Sequence, residues 1–233
     1  MRGCLSVLVL AAIFLVAGAW FGGPPIAEAL VSTALATSGL HSNDLHVQVE
    51  ADPPLRLATG RADRVVVDGM DVTWNGLTAD TFHLTLDDVD FLSRSAGETS
   101  GRLTGVELPN VDPPGSRATI DISGPGSSAL VTVTIDDATV ERMAIEAFEQ
   151  KLGVRPSSAT LSEPNVIRFK AGPVEATGAL TIGPDGSLGV STPLGTFTVL
   201  APSPQQPIQL TSVAVDNGSL VLTGSLDVAD LLG

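Results

Sequence analysis

Hydrophobic and polar residues alternate with a period of two through most of this chain, and the period lengthens to that of a helix in two places. Leu45, Val47 and Val49 fall on one side and Asp44, His46, Gln48 and Glu50 on the other, as a half-buried strand requires. Asp52-Pro53-Pro54 interrupts this strand. Apolar positions resume at Leu55 and Leu57, then at 65–67 around Val65 and Val67, with a turn expected near Asp68-Gly69 before a strand at 70–74. Asn75-Gly76 is a strong hairpin signal, and the strand after it, 77–89, alternates through Phe82, Leu84 and Leu86. The polar, Gly-rich stretch 93–105 and the segment 109–115 read as loops. Further strands are expected at 118–122, 129–135, 158–161, 166–171, 174–182, 188–190, 195–200, 209–215 and 220–228. Pro184-Asp185-Gly186 and Asn217-Gly218 mark turns among them, and 202–207 is a loop.

Helical spacing first appears after Pro24-Pro25, where Ile26, Leu30, Val31, Ala34 and Leu35 recur on one face up to a stop at Gly39. It returns at 138–152, capped by Asp136 or Asp137 and ended by Gly153. Val140, Met143, Ala144, Ala147, Phe148 and Leu152 form one apolar stripe there. These elements predict an α+β, mainly β fold: twisted antiparallel sheets wrapped against two amphipathic helices, the interior either solid or enclosing an apolar groove. A faint repeat of helix followed by meander divides residues 23–233 into two units, about 24–135 and 136–233.

Ahead of this domain, Arg2 precedes an uncharged apolar run, residues 5–21, that would span about 26 Å as a helix. Residues 1–22 are therefore a signal peptide, with Ala17-Gly18-Ala19 as a small-x-small cleavage site, or an N-terminal membrane anchor. Either form exports the rest of the chain to the outer face of the cytoplasmic membrane, the periplasm or the cell envelope.

Twelve Lys and Arg against 26 Asp and Glu give a formal charge of −14, which excludes a nucleic-acid partner held by counterion release. Cys4 is the one cysteine, so no internal disulfide forms. His41, His46 and His83 are isolated, and the chain carries no HExxH, CxxC, calcium-loop, GxSxG, Walker or Rossmann pattern. With no tyrosine and 4% aromatic residues, stacking platforms for sugars or single strands are also poor fits. No catalytic residue, metal or cofactor is called for, and the chain reads as a non-enzyme.

The run LRLATGRADRVVVDGMDVTWNGLTADTFHLTLDDVDF (55–91) resembles the signature stretch of the LmeA-like phospholipid-binding proteins of bacterial cell envelopes. The closing TSVAVDNGSLVLTGSLDV (211–228) is similar to theirs too, and the resemblance covers 26–232. It implies a tubular lipid-binding fold of the bactericidal/permeability-increasing type, and non-catalytic binding or transfer of phospholipid or a related envelope lipid. Under that reading the groove is lined by Leu45, Val47, Val49, Leu57, Val65, Val67, Phe82, Leu84, Leu86, Val140, Met143, Ala144, Ala147 and Phe148. The alternative is a structural envelope protein with a solid core and no lipid ligand.

Overall fold

The computed structural model describes residues 25, 26, 28, 29, 31–33, 35, 36, 39–74, 77–108, 115–126, 128–201 and 208–227. Two antiparallel sheets dominate it. The larger contains β1 (Leu40–His41), β2 (Asp44–Glu50), β3 (Arg61–Trp74), β4 (Leu77–Asp90), β5 (Glu98–Glu107), β6 (Arg117–Pro125), β7 (Ser128–Ile135), β13 (Ile208–Asp216) and β14 (Ser219–Asp227). Its order is β1-β3-β4-β5-β6-β7-β14-β13, with β2 also on β3. The smaller sheet runs β12 (Gly195–Leu200), β11 (Leu188–Thr192), β10 (Val174–Ile182), β9 (Val166–Ala171), β8 (Ser158–Ser162). The closing hairpin β13–β14 returns to β7 of the first sheet. The sheets therefore do not divide the chain at residue 135 as the apparent repeat does, and the second half helps to build both.

The turn expected near Asp68-Gly69 is not a turn, because β3 runs through it to Trp74. Buried partners in β3 and β4 step by three residues there, from Gly69 opposite Phe82 to Val72 opposite Ala79. Asp71, at φ 49°, and Asp80 are left out of the pairing there, as are Asp63 and Asp88, at φ 50°, lower down, so the register of β3 on β4 is the same throughout. Between β5 and β6 the register does shift, between Leu103 and Val106, with Gly105 at φ 64°. Irregularities of this kind bend a sheet without ending its strands.

The segment 93–105, expected as a loop, contains most of β5. Its inward positions are Thr99, Leu103 and Val106, too few large apolar residues to announce a strand. The outer face of this region is solvated. Arg61 lies opposite Asp90, Arg64 opposite Asp87 and Arg102 opposite Asp121, each pair bridged across the strands. His46 and His83 are exposed, as their strand positions predict.

The second sheet curls around the helix Asp137–Leu152, which touches both of its edge strands, β8 and β12. The rings of Phe169 on β9 and Phe197 on β12 are 5.9 Å apart. Three strand spacings in a flat sheet would separate those strands by about 14 Å. Phe148 from the helix joins them at 4.7 and 5.8 Å. The helix begins where Asp136 accepts hydrogen bonds from the Thr139 N–H and hydroxyl, both at 2.8 Å, and ends at left-handed Gly153. Of the N-terminal helix, the described residues between 25 and 36 are helical, with Val31 and Leu35 buried. Asn75-Gly76 and the apolar run 5–21 lie outside the described residues.

Candidate functional site

Where the two sheets meet, the interior is not filled. A cavity of about 650 Å³ lies there, within the roughly 300–1,000 Å³ of ordinary ligand sites. The first sheet supplies its apolar floor through Leu77, Val106, Leu108, Ile120, Val133 and Leu222. Ile182 and Leu200 enter from the second sheet, and Ile208 and Leu210 from β13.

Gly224 explains how β13 comes to cover this floor. It sits in β14 between the buried Leu222 and Leu226, on the inner face, opposite Leu210 in register. A Cβ on Gly224 would run into the Gln209 carbonyl group, so the missing side chain is what lets β13 approach. The β13 register shifts just beyond, between Leu210 and Ser212.

Polar groups occur along the lining at Asp185, Gln209 and Thr211. Asp185 belongs to the β10–β11 turn, where its carboxylate accepts from the Ser187 hydroxyl at 2.6 Å and the Ser187 N–H at 3.1 Å. Those bonds hold its carboxyl below the usual carboxylate range, the hydroxyl contributing most. Asp185 is the single charged residue along the described lining, so the cavity presents no acid–base pair. Among the described residues no group of three or more His, Cys, Asp and Glu side chains could hold a metal, and no helix is long and apolar enough to cross a membrane.

The lining anticipated from the sequence occupies other parts of the interior. Val47, Val49, Val65, Val67, Phe82, Leu84 and Leu86 are buried on the inner face of the first sheet, with Leu45 and Leu57 half-buried beside them. Val140, Met143, Ala144 and Phe148 are buried on the long helix, and Ala147 is half-buried. None of these residues is among those lining the 650 Å³ cavity. Phe148 faces a separate, smaller pit at the other end of the second sheet.

No curated protein and no solved structure matched the chain. The model of one family does match, over residues 18–225, which takes in both sheets, the long helix and every described residue of the cavity lining. By that match the chain belongs to the LmeA-like phospholipid-binding family.

Proposed function

We propose that this protein holds a phospholipid or related envelope lipid without acting on it chemically, with an acyl chain in the cavity between the sheets. The cavity itself carries the reading: about 650 Å³, with leucine, isoleucine and valine side chains from both sheets on its walls and polar groups from the β10–β11 turn, Gln209 and Thr211 along the rest of its lining. At roughly the volume of a water molecule, about 30 Å³, for each methylene-sized group, it accommodates on the order of twenty. That suits one acyl chain, leaving the head group near Asp185, Gln209 and Thr211. Burying ten methylenes would contribute about 8 kcal/mol before ordering costs, enough for binding without charge attraction. Arg2 and the apolar run 5–21 support a place of action outside the cytoplasmic membrane, where the protein stores such a lipid or passes it on.

Extraction of the purified full chain with organic solvent tests this. Phospholipid is expected in the extract. Val133→Trp, which places a larger side chain in the cavity, should remove most of it at little cost in melting temperature. Met143→Trp, in a packed part of the interior, should instead lower stability by about 1–3 kcal/mol and leave the lipid in place. A parent protein free of lipid, or lipid content unchanged by Val133→Trp, would overturn the reading.

A further inference from the structure

At the opposite end of the second sheet from the cavity, three tight connections each expose a large apolar side chain. Val154 follows the helix stop Gly153, Val174 opens β10 after Gly172-Pro173, and Leu194 lies in the turn between β11 and β12. They are 51%, 60% and 61% exposed. Together they rim a pit of about 340 Å³, floored by Phe148, Leu152 and Phe169, with no polar side chain in its lining. Singly exposed apolar residues are ordinary, but three that converge on one apolar pit mark an interaction surface. The opposite end of β10 leads into the turn that lines the lipid cavity. Its nine residues place the two sites roughly 30 Å apart.

The charge around the pit departs from that of the molecule. The chain carries −14, yet both of its lysines, Lys151 and Lys170, flank this end together with Arg155. Their acidic neighbours are Glu149, which accepts from Arg155 at 2.6 Å, and Glu175, opposite Lys170 in register. Cations here outnumber acids, whereas acids outnumber cations in the chain as a whole. A second copy packed here about a two-fold axis would set this cationic rim against its own copy. Apolar points on three separate turns, with long cationic side chains beside them, match a fluid anionic lipid surface.

We propose that this end is a bilayer-docking tip. Val154, Val174 and Leu194 enter the apolar layer beneath the head groups, with Lys151 beside them and Lys170 on the other face of β9 at the level of the lipid phosphates. The acidic outer face of the first sheet is then carried away from the bilayer. The tip is independent of the lipid cavity, since a chain that held no lipid could still dock this way.

The test uses the full chain with Cys4→Ser and a single fluorophore on Val154→Cys, Val174→Cys or Leu194→Cys. Labels on Leu130→Cys and Met70→Cys, comparably exposed positions at 54% and 59%, serve as controls. Vesicles contain phosphatidylcholine and phosphatidylglycerol in equal parts, with a doxyl quencher on the acyl chain. Quenching is expected at the three tip positions and not at the controls. Lys151→Glu with Lys170→Glu should raise the lipid concentration for half-maximal quenching about tenfold or more. Absence of tip quenching in protein that sediments with the vesicles, or equal quenching at the controls, would overturn the proposal. Shielding of the tip labels without vesicles, with a dimer in sedimentation, would assign the face to self-association and overturn it as well. Lipid extraction from each labelled protein before vesicles are added reports the cavity separately, so either site can fail alone.

Discussion

Asp136 sets the start of the long helix through one side chain. Burial pushes its carboxyl up, but hydrogen bonds from the Thr139 N–H and hydroxyl outweigh this and hold it below the usual carboxylate range. Asp136→Ala should cost about 1 kcal/mol at neutral pH, and Asp136→Asn much less, by chemical denaturation. A depressed folded value means that the ionised cap stabilises the protein above the unfolded value of about 3.9. The difference between the parent and Asp136→Ala should therefore shrink as pH falls below that value and through the folded one. Gly224 is the second position where a single residue decides architecture. Gly224→Ala forces β13 from its seat and should cost about 1–3 kcal/mol, with loss of bound lipid. The cap was legible, since an Asp followed by an apolar stripe and a Gly stop is local chemistry. Gly224 was not, because the close approach of the Gln209 carbonyl on the facing strand of the hairpin, where the register shifts, leaves no local mark in the sequence.

At the scale of elements, strands were legible where alternation is strong. The run Phe82 to Leu86 places alternate side chains inward, and Asn217-Gly218 forms the tight turn its dipeptide predicts, with φ at 50° and 80°. The expected turn at Asp68-Gly69 is continuous strand: pairing skips Asp71 and the facing Asp80 with the register kept, where a turn would reverse the chain. β5 escaped notice because Thr99 and Gly101 stand where large apolar residues would signal a strand. The helix stripe was legible, and its partners were not: the curl of the second sheet brings Phe169 and Phe197 onto Phe148 from separate strands. That cluster is a packing centre. Phe148→Ala should cost about 3–5 kcal/mol in chemical denaturation, while leaving the separate cavity able to take lipid.

At the scale of the whole molecule, the cavity between the sheets is the feature that sequence periodicity could not locate. Alternation tells which side of each strand is dry, so Val47, Val65, Phe82 and the helix stripe were expected at the lining as readily as any other inward residue. Which part of the dry side stays unfilled depends on how two sheets meet, and the register shift around Gly105, the gap at Gly224 and the β10–β11 turn all fall at that meeting. The chain's charge of −14 leaves burial of acyl chains as the main source of affinity. Each added methylene should tighten binding about fourfold, at roughly 0.8 kcal/mol, until the cavity is full. Titration with a series of single-chain lipids of rising length checks this, and indifference to length would point to recognition of the head group.

Location of the acyl chain in the protein decides the matter most directly. A phospholipid with a photoreactive diazirine at the end of one acyl chain can be loaded into the full chain, irradiated, and its adducts mapped by peptide mass spectrometry. Adducts are expected on β6, β7 and β13, at or beside Ile120, Val133 and Leu210, the walls of the cavity between the sheets. Adducts concentrated at Val47, Val65 and Phe82, or scattered over the outer face around Arg64 and Arg102, would contradict a lipid held in that cavity.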